Sequence, residues 1–167
     1  MKKNDELSLE VGDLVVYPIY GVGEIENFDS YNIDGSQQDF ILINFKQDKM
    51  KLRIPKDKAS NSGLRKLSNK NRLSKALEVL EEKPSLKKDM WIKRAKEYEK
   101  NINSGDPVLI AEVVRDLHKK EDSLEQQSYS ERQIYLTALN RLSNEYAAVQ
   151  NLEKKSAKSK LEELLNQ

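Results

Sequence analysis

The residues of this 167-residue chain best suited to chemistry surround its only tryptophan. Met90-Trp91-Ile92-Lys93-Arg94-Ala95-Lys96 is preceded by Lys87-Lys88 and followed by Lys100. On a helix, Trp91 and Arg94 are three apart and share a face, with Lys93 and Lys96 flanking it. Cations in that pattern hold a nucleic-acid duplex by its phosphates. A large planar side chain among them can wedge against an unstacked base. The same tryptophan equally suits a core anchor with solvated lysines around it. Composition leaves these two readings level.

Other chemistry is sparse. The absence of cysteine removes disulfides, thiolate nucleophiles and cysteine-based zinc sites together. The one histidine, His118, falls near the end of an expected helix, where a surface residue facing the helix dipole is the plainer reading than a catalytic base. The acidic residues show no metal-ligand spacing. Gly21-Val22-Gly23 is too short for a phosphate loop and reads as a bend between strands. Tyr17, Tyr20, Phe28 and Tyr31 could form an aromatic cage for a methylated lysine. Alternation already accounts for Tyr17 and Phe28 as core. No cofactor or metal is expected, and an enzyme is not.

Two kinds of element must carry these residues. Leu14-Val15-Val16-Tyr17 reads as a short strand stopped by Pro18. Glu24–Phe28 alternates, Asp34-Gly35 signals a hairpin, Phe40–Phe45 is apolar enough for a central strand, and Lys49–Ile54 ends at Pro55. Four or five short strands make a small barrel-like sheet of the SH3 or Tudor type, usually a recognition platform. A peptide adding to an open strand edge is one use of such a module.

From about residue 69 the period becomes helical. Leu73, Ala76, Leu77 and Leu80 mark a first helix closed by Pro84. A second is expected over 85–102, with Leu86, Met90 or Trp91, Ala95, Tyr98 and Ile102 as its stripe. Asp106-Pro107 opens a third, with Ile110, Val113, Val114 and Leu117 on its buried face. Ser128-Tyr129-Ser130-Glu131 offers a capping box for a fourth, whose apolar side is Ile134, Ala138, Leu142, Tyr146 and Val149. Lys154–Leu165 is a short last helix, frayed at its end. The fold class is therefore α+β in two domains. A small Tudor/SH3-like β barrel spans 1–68, and an all-helical bundle spans 69–167.

Charge divides unevenly along this plan. Residues 1–45 carry a balance of −7, residues 46–100 a balance of +10, and residues 101–167 a balance of −2. A basic middle between acidic ends points to a polyanion partner. The Met1–Glu6 start has no apolar signal core, and no run is long enough to span a bilayer, so a cytoplasmic location is expected.

Several stretches together resemble the CarD/CdnL family of bacterial transcription regulators. They are Val11-Gly12-Asp13-Leu14-Val15-Val16-Tyr17-Pro18 with Gly21-Val22-Gly23, Leu52-Arg53-Ile54-Pro55, Trp91-Ile92-Lys93-Arg94, Ser104–Pro107 through Ala111–Leu117, and Gln127–Gln133. The wording of the last two is similar to alphaproteobacterial members. The resemblance implies a Tudor-like domain that docks on the β subunit of RNA polymerase. It also implies a helical domain that meets promoter DNA, in the minor groove and on the backbone, at the upstream edge of the transcription bubble. It makes Trp91 the wedge that slows collapse of the melted DNA, with Lys93, Arg94 and Lys96 on the backbone. Arg53 and Ile33 take polymerase-contacting positions. Tyr31 stands where some relatives have arginine, and Lys93 replaces a common arginine, keeping charge but losing the planar fork.

The expected function is thus a polymerase-tethered stabiliser of open promoter complexes with weak sequence specificity, acting as a monomer and nucleoid-associated through polymerase. The alternative is a protein-only adaptor whose β module binds a peptide partner.

Overall fold

The computed structural model describes residues 8–85 and 88–167. These divide into two compact units between Leu67 and Ser68. Leu86 and Lys87, expected on the second helix and in the basic segment, lie outside the described residues.

The first unit is an antiparallel sheet. Its strands are β1 (Leu14–Tyr17), β2 (Gly21–Ile33), β3 (Ser36–Phe45), β4 (Met50–Pro55) and β5 (Arg65–Lys66), in the spatial order β4-β3-β2-β1-β5. Val15, Ile25, Ile41, Ile43, Phe45, Ile54, Ala59 and Leu64 form its core. The Asp34-Gly35 hairpin is present: both residues have positive φ, 50° and 80°, and they join the paired Ile33 and Ser36. That backbone pair matches the right-handed twist of the flanking strands.

Gly21-Val22-Gly23 does not form a separate bend. It begins β2, paired with Val16 and Val15 of β1, and the reversal falls at residues 18–20 instead. Pro18 has no N–H to give a ladder, so β1 stops there. β2 then runs for 13 residues, longer than its alternation suggests, because a bulge lies between Ile25 and Asn27.

The second unit holds five helices: α1 (Lys70–Glu81), α2 (Trp91–Asn103), α3 (Pro107–Leu117), α4 (Tyr129–Gln150) and α5 (Lys154–Leu165). Three of the starts, those of α1, α3 and α4, follow capping chemistry. Asn69 accepts from the Arg72 N–H at 2.8 Å, Asp106 from Val108 at 2.9 Å with Pro107 at the first helical position, and Ser128 from Glu131 at 3.2 Å. Asn151, left-handed at φ 53°, ends α4.

The most apolar helix, α3, packs against α1, α2 and α4, and α5 closes on α4 and α1. Ala76, Leu80, Tyr98, Ile102, Ile110, Val113, Val114, Leu117, Ala138, Leu139, Leu142 and Leu161 make the shared core. On α4 the buried stripe is Tyr135, Ala138, Leu139 and Leu142, and the expected Ile134, Tyr146 and Val149 are only half-buried. The second helix starts at Trp91 rather than at 85. Lys88, Asp89 and Met90 are exposed, so these three residues bury nothing to offset the cost of ordering a helical turn.

Candidate functional site

Trp91 opens α2 with its ring half-buried against the helical core. It is neither a fully enclosed anchor nor a free blade. The Tyr98 ring lies two turns further along, with centroids 6.3 Å apart and planes at 47°. The Arg94 guanidinium sits over both, 5.6 Å from the Trp91 centroid and 5.8 Å from that of Tyr98. It also donates from Nη2 to the Tyr98 hydroxyl at 3.3 Å. Arg94 Nε is buried and makes no hydrogen bond.

Around this stack the surface is apolar and basic at once. Met90 is 78% exposed and Ile92 67%. Lys88, Lys93, Lys96 and Lys100 are exposed, Lys93 paired loosely with Asp89 at 3.5 Å. No side chain caps α2, and its first-turn N–H groups add about half a positive charge at the same end. The structure thus brings Trp91, Lys93, Arg94 and Lys96 onto one helix, with different surroundings. The lysines reach solvent, whereas the arginine is committed to two rings.

The second candidate site is the outer face of the sheet. In the register, Ile41 pairs with Ile54 and Ile43 with Leu52 on the core side, so Leu42 and Arg53 pair on the opposite side. In β2, Ile25 faces the core opposite Ile43, but Phe28 is the next residue on that side, opposite Ile41. The bulged Glu26 shifts the alternation by one residue, which turns Asn27, Asp29, Tyr31 and Ile33 outward. Without it Tyr31 and Ile33 would point into the core.

Tyr31 and Ile33 are each 45% exposed. Arg53 reaches across from β4 to Asp29 at 3.1 Å, its guanidinium 5.7 Å from the Tyr31 centroid, and Tyr31 meets Phe40 edge-on at 5.7 Å. The hydrogen bond to Asp29, and then the neighbouring Tyr31, hold the Arg53 guanidinium above its ordinary range. Arg53 and Tyr31 are in contact, and Ile33 lies two residues beyond on the same face.

The four aromatics weighed as a cage do not converge. Tyr17 and Tyr20 stack at 5.9 Å and pack on the core residue Phe45, while Tyr31 is on the outer face. His118 caps the end of α3 as expected but is half-buried and bonded rather than free in solvent. Its Nε2 faces the Asn166 Oδ1 at 3.0 Å, which leaves Nδ1 to accept from the Tyr135 hydroxyl at 2.9 Å. It ties α3, α4 and the end of α5 together. Burial, and then the charge of Glu162, push the Tyr135 phenol up to about 12.

A polar cluster that sequence reasoning missed fixes the chain before α2. Buried Asp116 accepts from Arg115 Nε and from the Ser85 N–H, both at 2.9 Å, and Arg115 also reaches Glu82 at 2.8 Å. The Arg-Asp dipeptide gave no signal, because its partners lie more than thirty residues away in sequence. Among the described residues there is no cluster able to hold a metal ion, and no helix is long and apolar enough to cross a membrane.

Comparison with known proteins agrees with this two-part plan. Residues 9–68 match the model of the CarD-like/TRCF RID domain, and residues 75–162 match that of the CarD C-terminal domain. A protein of Bacillus subtilis (strain 168), named as a candidate transcription factor, YdeB, is 28% identical over 152 residues, spanning 90% of this chain and 97% of its own. The solution structure of the 72-residue N-terminal domain of Myxococcus xanthus CarD covers 35% of this chain and 77% of that domain, at 33% identity and a TM-score of 0.31. The family models account for both units, the Tudor-like β domain and the helical domain. This chain belongs to the CarD-like family of transcription factors.

Proposed function

We propose that this protein docks on the β subunit of RNA polymerase through the outer face of its β domain and stabilises the open promoter complex through the start of α2. On this reading residues 1–68 are the polymerase-interacting domain and residues 69–167 the DNA-binding domain. Arg53 is the centre of the docking face, with Tyr31 and Ile33 beside it. Trp91 meets DNA at the upstream edge of the bubble, while Lys93 and Lys96 lie along the phosphates. The protein acts as a monomer and resides on the nucleoid with polymerase.

The observation that carries the reading is the composition of the α2 start. A half-buried tryptophan is held with one part against the core, between two exposed apolar residues and among exposed lysines. Large apolar side chains left in a basic surface suit partial unstacking of a duplex, and lysines supply affinity without reading sequence. A protein that prefers open to closed complexes shifts their populations by that difference in affinity and no more.

The test is the lifetime of open complexes formed by purified polymerase with wild-type or Trp91→Ala protein. An aromatic stacked on a base contributes about 1–3 kcal/mol, a factor of about 5–150 in lifetime. A folded Trp91→Ala variant that gives the wild-type lifetime removes the wedge assignment. Absence of salt-sensitive association with forked DNA would favour the adaptor reading instead.

A further inference from the structure

We propose that Arg94 is a positioning residue that holds Trp91 in place, and that it is not a phosphate ligand. The inference rests on the reading that Trp91 meets DNA, and it divides the basic segment into two kinds of cation. Lys93 and Lys96 are exposed on mobile stems and suit phosphates. Arg94 is half-buried, and its planar guanidinium lies over the Trp91 ring at 5.6 Å and the Tyr98 ring at 5.8 Å. The hydroxyl of Tyr98, itself a core residue only 3% exposed, accepts from Nη2 at 3.3 Å. The Nε donor is buried with no partner, so this edge of the fork does not face a backbone in solvent.

Trp91, Arg94 and Tyr98 fall at i, i+3 and i+7. The three therefore stack along one face of α2, with Tyr98 as the fixed end. The separations of 6.3, 5.6 and 5.8 Å form a near-equilateral triangle, so the guanidinium lies beside the ring pair and attracts both rings at once. It restricts the indole before DNA arrives, so less freedom is lost when the ring engages the junction.

The stack also predicts what a conservative change does. Lysine keeps the charge but is a point cation on a flexible stem, and cannot meet both rings and the Tyr98 hydroxyl at once as the guanidinium does. A phosphate ligand tolerates that exchange, whereas a group shared by two rings does not.

Because Trp91 is the only tryptophan, its motion is read directly by fluorescence anisotropy decay of the full chain without polymerase. Arg94→Lys and Arg94→Gln are both expected to increase the fast indole motion. Tyr98→Phe, which removes the hydroxyl and keeps the ring, is expected to increase it less. With polymerase and a promoter, both Arg94 variants shorten the open-complex lifetime by about fivefold, the factor of one ordinary cation–π contact, and leave the salt dependence of DNA binding as in wild type.

Unchanged indole motion in Arg94→Lys and Tyr98→Phe overturns the proposal. So does a wild-type lifetime in Arg94→Lys together with a shorter lifetime and a salt slope smaller by about one in Arg94→Gln, the pattern of a lost phosphate contact. If Arg94→Lys fails to fold, Tyr98→Phe decides through the indole motion. An unchanged lifetime in Trp91→Ala would remove the DNA reading while the anisotropy still reports whether Arg94 holds the ring.

Discussion

Gly23→Ala is expected to destabilise the β domain while leaving the helical domain as it is. Gly23 lies in β2 opposite Val15 and against the core residues Ile43 and Phe45. A Cβ at that position would stand 2.5 Å from Ile43 Cγ2, and 2.8 and 3.0 Å from two ring carbons of Phe45. Ordinary carbon–carbon contacts are about 3.5–4.0 Å, so the neighbours would have to retreat by about 1 Å. Ile43 and Phe45 are both 0% exposed and have no space to retreat into without moving β3. Overpacking of this kind costs about 1–3 kcal/mol. In a domain of this size each kcal/mol lowers the melting midpoint by roughly 4–8 °C, which gives a fall of about 5–20 °C. The measurement is thermal unfolding of the full chain. Exchange of the Ile25 and Ile43 amides follows the β domain, and Trp91 fluorescence follows the helical one. A β-domain midpoint within about 2 °C of wild type would refute the packing argument.

The remaining predictions address the other elements. Arg53→Glu places a carboxylate beside Asp29 and removes the cation from the Tyr31 ring, and it is expected to weaken binding to purified polymerase β subunit without unfolding the chain. Pairing it with Asp29→Arg should restore the internal ion pair but not the binding, and wild-type affinity in either variant counts against the docking face. Asp116→Ala leaves Arg115 Nε and the Ser85 N–H without their acceptor, while Arg115 keeps Glu82, so the cost is about 3 kcal/mol, the low end for breaking a buried ion pair; a urea midpoint equal to wild type would show the cluster to be dispensable. Tyr135 adds a pH dependence. Its phenol is pushed up to about 12 in the folded chain, above the ordinary value near 10, so the neutral form is the one the fold favours. That stability is fully present below pH 10 and is lost as pH rises through about 12. Tyr135→Phe should flatten the melting midpoint over this window, and an unchanged slope would argue that another group titrates there.

Much of this architecture was legible from local chemistry. Leu14–Tyr17 is bounded by Gly12-Asp13 and Pro18, Asp34-Gly35 admits few backbones other than a tight hairpin, and Asp106-Pro107 caps a helix by rules that need no tertiary context. The expected limits of α5, Lys154–Leu165, match those observed, although no side chain caps its start. What escaped depends on distant partners. The bulge at Glu26 is set by how β2 packs on β3, and Ile25 and Phe28, three apart where strict alternation requires two, were its one trace. The pairing of Arg53 with Asp29 spans 24 residues, and charge patterning along the chain does not see it. The composition around Trp91 left core anchor and DNA wedge level, and the half-buried ring explains why: one residue faces both environments. His118 read as a surface group because its partners, Tyr135 and Asn166, come from two later helices.

The outer part of the β2–β3 hairpin has a consequence for how such proteins can diverge. β1 pairs with β2 only through Glu24, and β4 pairs with β3 only from Phe40 onward. Among the described residues of the β domain, the ribbon from Asp29 to Asp39 is therefore a two-stranded extension flanked by no other strand. Its length is set apart from the core, so insertions and deletions there leave the core packing in place when they come in matched steps. Adding one residue to each strand moves the tip while reversing which side chains face out, and adding two to each restores them. Lineages can thus lengthen or shorten the arm that carries Tyr31 and Ile33 by quanta of two residues per strand, tuning reach without redesigning the domain beneath it.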